Sequence, residues 1–139
     1  MPPKGPNSFP SIADLERQHG IPSEKYCGLT PEEMSRAIVA YDAGPRMPGT
    51  PVGYMPVGSA ETRLGWLREE FGANSDIERI RLQVQFFQSR VSRALQLDWM
   101  LPNEVFDPAV ATGLRQHFPE LTEEARVVIA GNYSYSHAK

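Results

Sequence analysis

The feature that most constrains the fold is a set of six apolar residues, Ile77, Ile80, Val84, Phe87, Val91 and Ala94, stepping by three and four along IERIRLQVQFFQSRVSRAL. That spacing gathers them on one side of an α-helix and does not fit the two-residue alternation of a half-buried strand. An uninterrupted apolar stripe of this kind must be covered by other helices. Ser75-Asp-Ile-Glu78 reads as a capping box that opens the helix, and Pro102 closes it. A helix from Ser75 to about Met100 would be roughly 38 Å long at 1.5 Å per residue.

Start and stop signals mark shorter helices around it. Ser11, with Asp14 three residues on, opens one that Gly20 and Pro22 stop. Thr30-Pro-Glu-Glu33 combines an N-cap, a proline at the first helical position and a capping-box glutamate. Met34, Ala37, Ile38 and Tyr41 then follow at helical spacing as far as Gly44-Pro45. Another helix begins at Ser59, buries Leu64, Leu67 and Phe71, and stops at Gly72. A further one, from Asn103 or Asp107 to Phe118, turns Phe106, Val110 and Leu114 inward, and Pro119 ends it. Thr122 caps the last, in which Ala125, Val128 and Ile129 lie together, and Gly131-Asn132 reads as its stop.

The sequence therefore predicts an all-α fold of five or six helices around one long central helix, as a single helical domain over 11–139 preceded by an extended arm over 1–10. Prolines 2, 3, 6 and 10 deny the arm backbone donors. Residues 44–58, GPRMPGTPVGYMPVG, carry four prolines and four glycines and are read as a long loop within the domain. Its apolar side chains, Tyr54 and Met55 among them, mark it as a candidate contact surface.

On the long helix, Leu82, Phe86 and Leu97 share a band with Arg79, Arg90 and Arg93. Arginine and aromatic residues anchor many protein interfaces. Arg79, Phe86, Arg90, Arg93 and Leu97 are accordingly interface candidates. The competing reading is that the central helix touches two sets of neighbours in its own fold, the arginine stems covering apolar surface. Tyr133 and Tyr135, beyond the expected helix stop, complete the candidate set as large amphipathic rings that either fold back or dock on a partner.

Chemical signatures are sparse. Glu16 and His19 form Glu-x-x-His, which resembles half of a carboxylate-bridged di-iron site, but Leu114 and Ser134 stand where His117 and His137 would need a glutamate. Glu16 and His19 are therefore read as helix-surface polarity. Cys27, the sole cysteine, has no neighbouring cation in sequence and reads as a structural thiol. No phosphate-binding loop, nucleophile elbow or zinc spacing occurs, so neither catalysis nor a cofactor is expected.

A net charge of −3 with both signs interspersed gives no field for a polyanion. The stretch IAGNYSYSHAK, 129–139, resembles the first helix and turn of a helix-turn-helix, yet only His137, Ala138 and Lys139 remain where its reading helix would lie. No segment approaches a membrane span or a secretion signal, and a reducing cytoplasmic setting suits the lone thiol.

The expectation is a non-catalytic protein-interaction module, such as an adaptor, regulator, immunity-type inhibitor or accessory subunit, whose partner is another protein or a second copy. One alternative is a nucleic-acid-associated regulator. Another is a small enzyme or ligand-binding bundle with Tyr54, Met55 and Trp66 around a pocket covered by 44–58.

Overall fold

A computed structural model describes residues 10–44 and 59–137. Residues 1–9 of the expected arm and the 44–58 loop beyond Gly44, Tyr54 and Met55 included, lie outside the described residues. Within them the chain is all-helical, with six α-helices, one π-helical turn and no strand. The helices are α1 (Ile12–Gln18), α2 (Pro31–Ile38), α3 (Ala60–Phe71), α4 (Ile77–Leu95), α5 (Asn103–His117) and α6 (Glu123–His137).

Most helix starts follow the sequence signals. Ser11 and Thr30 each accept a hydrogen bond from the backbone three residues on, and the Asp14 and Glu33 carboxylates in turn accept from the cap backbone N–H. Ser59 caps α3 and Thr122 caps α6, each side-chain oxygen accepting at 3.2 Å from the amide three residues later. Thr122 also donates its backbone N–H to Ser35 Oγ at 3.0 Å, pinning the start of α6 to α2.

The stripe on α4 is the centre of the core. Val84, Phe87 and Val91 are buried, Ile77 and Ile80 nearly so, and Ala94 is partly covered. α4 packs against α2, α3 and α5, and α6 packs against α5 and α2. Tyr26, Phe87 and Phe118 form an aromatic group inside, with Phe87 5.4 Å from Tyr26 and 5.2 Å from Phe118 between centroids. Gln83, also buried, donates to the Cys27 carbonyl at 3.0 Å. It thereby satisfies a backbone acceptor at a turn where Cys27 itself has φ +58. Cys27 is fully buried, and burial pushes its thiol up to about 11, well away from thiolate chemistry at neutral pH.

After α2 the helix widens into a π-helical turn, Val39–Ala43, closed by the Gly44 N–H donating to the Val39 carbonyl at 3.0 Å. The turn buries three consecutive residues, Tyr41, Asp42 and Ala43. Arg63 of α3 donates to Asp42 Oδ1 at 2.6 Å and to the Tyr41 carbonyl at 2.9 Å, while Gln88 of α4 donates to Asp42 Oδ2. Burial holds the Asp42 carboxyl above its ordinary range, against the opposing pull of Arg63 and Gln88.

Gly44 exits this turn at φ +66, with the Trp66 ring 2.6 to 2.8 Å from where a Cβ would stand. Gly44→Ala is expected to cost about 1 to 3 kcal/mol through backbone strain and the ring clash together. Thermal unfolding of the variant measures it.

Three expected boundaries are corrected. The cap of α4 is Asp76, whose Oδ1 accepts from the Arg79 amide at 3.1 Å, while Ser75 Oγ donates back to the Phe71 carbonyl at 2.6 Å. The helix ends at Leu95, not near Met100, because Gln96 turns left-handed at φ +47. Its 19 residues span roughly 28 Å. Gly131-Asn132 does not stop α6, which continues to His137. Tertiary hydrogen bonds hold that last turn and outweigh the poor helix propensity of the pair: Ser134 Oγ to Asp107 Oδ1 at 2.9 Å, and Tyr133 Oη with Ser92 Oγ at 2.7 Å. As a consequence Tyr133 and Tyr135 are part of the helix. Two positions apart, they point about 160° apart around its axis.

Candidate docking site at the aromatic end

The early stop of α4 creates the most distinctive surface. Residues 97–101, LDWML, leave the helix with Asp98 Oδ1 accepting from the Met100 amide at 2.9 Å, and Pro102 then starts α5. The Trp99 ring lies 5.0 Å from Phe106 of α5 and is stacked at 5.9 Å on Tyr133 of α6. His137 stacks on Phe106 at 4.0 Å, its Nε2 donating to the Leu101 carbonyl at 2.8 Å and its Nδ1 facing the Asn103 side-chain amide. Four rings from three parts of the chain thus fix the connection between α4 and α5.

The same stretch leaves large apolar side chains exposed. Trp99 is 49% exposed, Met100 90% and Val105 49%, and all three belong to the same turn and first helical turn of α5. Beside Trp99 an open cleft of about 280 Å³ lies between α4 and α6. Val91, Ile129, Trp99 and Tyr133 give it apolar walls, and Asn132 and Ser136 give it polar edges. Burial raises the Tyr133 phenol, and the Ser92 hydrogen bond pulls the other way, so the ring stands neutral beside the cleft at physiological pH.

Among the sequence candidates, Tyr133 belongs to this site. Leu97 packs, partly buried, against the core at the adjoining turn. Tyr135 is 47% exposed on another face of α6.

The arginine band is elsewhere, and its guanidinium groups are engaged within the fold. Arg79 donates to the Gly20 carbonyl at 2.9 Å. Arg90 donates to Glu16 Oε2, and to the Pro22 carbonyl at 2.8 Å. Arg93 reaches Glu16 Oε1 at 3.1 Å with its side chain half exposed, and Phe86 packs beside the His19 ring at 5.8 Å.

Glu16 is therefore not surface polarity. It is buried, and bridges two arginines of α4. Burial alone would raise its carboxyl, but hydrogen bonds and charge from Arg90 and Arg93 more than offset this and hold it below its ordinary value. His19, by contrast, is exposed.

Trp66 lines a separate open hollow of about 480 Å³ edged by Arg36, Glu69, Glu70 and Glu124. Among the described residues no group of three or more His, Cys, Asp or Glu side chains is placed to hold a metal ion, and no helix is long and apolar enough to cross a membrane.

Sequence reasoning missed Trp99, Met100 and Val105. The available signal was the pairing of Asp98, a residue that favours turns, with the apolar run Trp99-Met100-Leu101 ahead of Pro102, which disfavours helix at Leu101. Comparison with protein-family models, curated proteins and solved structures finds no significant match for this chain.

Proposed function

We propose that this protein is a non-catalytic interaction module that docks another protein through the aromatic end of its bundle. The observation that carries the reading is the exposure of Trp99, Met100 and Val105 within one short segment of chain, with Trp99 lining a cleft. Exposed apolar residues scattered singly need no explanation, whereas several large ones gathered in one segment, an aromatic among them, are the usual makeup of an interface anchor. A nucleic-acid reading finds less support, since Arg79, Arg90 and Arg93 already donate to internal acceptors.

Met100→Ser with Val105→Ser tests the proposal. Both side chains are half or more exposed, so the pair should change folding stability by no more than about 1 kcal/mol. Partners that the native chain retains in affinity purification from its own cells should be lost from the double variant, with thermal unfolding unchanged. Equal retention by both proteins would remove this surface from consideration.

A further inference from the structure

We infer that the partner seated at the aromatic end presents a cationic amphipathic segment, with one bulky apolar side chain in the cleft beside Trp99 and Lys or Arg side chains flanking it. The inference rests on the docking role proposed above and adds the chemistry of the occupant.

The charges that stand next to Trp99, Met100 and Val105 in the chain are of one sign. Asp98, Glu104 and Asp107 surround Trp99, Met100 and Val105 in sequence, and no Lys or Arg occurs anywhere from Ala94 to Leu114. The α6 face beside the cleft contributes none either, since residues 127–137 hold no Asp, Glu, Lys or Arg, and the His137 ring is tied to Leu101 and Asn103. Several described basic residues elsewhere are engaged within the fold or stand at far helix ends. Arg93 is spent on Glu16, and Lys25 on Glu120. Arg126 donates to the Pro119 carbonyl at the opposite end of α6, and Arg115 sits in the last turn of α5.

Asp98 and Asp107 each accept a hydrogen bond, from the Met100 amide and the Ser134 hydroxyl respectively. Among the described residues neither they nor Glu104 forms an ion pair with a cationic side chain.

An apolar cleft whose adjoining chain segment carries Asp98, Glu104 and Asp107 and no Lys or Arg favours cationic partners over acidic ones, because like charges brought together across an interface are unfavourable. The same repulsion counts against two other occupants. A second copy docked end to end would bring the carboxylates of two such segments together, and an anionic membrane surface would meet the same acidic segment. The cleft, at about 280 Å³, is of a size for one large side chain rather than a whole helix face.

The test uses the full chain carrying Trp66→Phe, which leaves Trp99 as the only tryptophan of the two and makes its emission a reporter of the site. Three synthetic amphipathic peptides of equal length, with the same Leu and Phe anchors but Lys, Gln or Glu on the polar face, are titrated at low salt. The Lys peptide should shift Trp99 emission to the blue and bind roughly tenfold or more tightly than the Gln peptide, with the Glu peptide weaker still. Asp98→Lys with Glu104→Lys should abolish that preference, and Met100→Ser with Val105→Ser, which leaves the charge unchanged, should weaken the Lys peptide as well.

Equal binding of the Gln and Lys peptides would overturn the cationic partner while leaving a docking role intact. Undiminished Lys-peptide binding to the serine variant would reduce the effect to bulk charge and overturn the inference, as would the absence of any response. Emission that changes with protein concentration alone, or on adding anionic vesicles, would assign the surface to a second copy or to a membrane and overturn it equally.

Discussion

Phe87→Ala is expected to lower the free energy of unfolding by about 3 to 5 kcal/mol, the usual cost of removing a large aromatic from a closed core. Phe87 is fully buried at the middle of the α4 stripe, and its ring touches two others that arrive from different parts of the chain. Tyr26 comes from the turn between α1 and α2, and Phe118 from the end of α5. Truncation would remove apolar burial and also empty the space that sets the distance between those segments, which the backbone of α4 cannot collapse to fill. With typical total stabilities of about 5 to 15 kcal/mol, such a loss consumes a large share of what holds the fold.

Urea unfolding followed by tryptophan fluorescence measures the effect. Phe86→Ala is the control from the same helix. Phe86 is only partly buried beside His19, so the expected loss is smaller, about 1 to 2 kcal/mol. If the two variants were equally mild, the stripe would not be the seam of the bundle.

The contrast between Phe86 and Phe87 marks what the sequence allowed. Periodicity assigns Phe87 to the core because its neighbours at three- and four-residue steps are all apolar. Local chemistry likewise marks the starts of α1, α2, α3 and α6, since a capping hydroxyl and the amide that donates to it are three residues apart in the chain. The misread boundaries were decided over longer distances. Gln96 adopts a left-handed conformation that a non-glycine residue takes only at some cost, and what holds the turn after it is the docking of Trp99 on Phe106 and Tyr133. Gly131 and Asn132 stay helical because Tyr133, Ser134 and His137 find partners on α4, α5 and the connection between them.

The docking site inherits this difficulty. Trp99 and Met100 read as the last turn of a long helix until that helix is seen to stop before them, and only then do their side chains emerge as surface. Glu16 was misread for the same reason. Arg17, Gln18 and His19 follow it in sequence and suggest a polar face, while the arginines that claim it lie more than seventy residues away.

Glu16→Gln should therefore behave as a core substitution. Arg90 is largely covered and directs two of its nitrogens at the Glu16 carboxylate, so a neutral amide would leave that guanidinium with a weaker acceptor and turn an amide N–H₂ towards a cation. The expected loss at neutral pH is about 2 to 3 kcal/mol, at or below the low end for breaking a buried ion pair because Arg93 stays half in water.

The pH dependence gives a second, independent readout. The folded-state carboxyl of Glu16 sits below its unfolded value of 4.5, so the unfolded chain binds the proton first. Its contribution is complete above that value and disappears as pH falls through the lower, folded one. Asp42 acts in the opposite sense: its folded value is raised, so its contribution is greatest at low pH and is lost as pH rises through that value.

The total stability curve mixes the two, but the difference between the native chain and Glu16→Gln removes Asp42 and every other shared group. That difference should hold constant from neutral pH down to about pH 5 and then shrink steadily as the medium becomes more acid. A difference that stayed level into strong acid would mean that the amide disrupts packing and that the charge on Glu16 contributes nothing to holding α1 against α4.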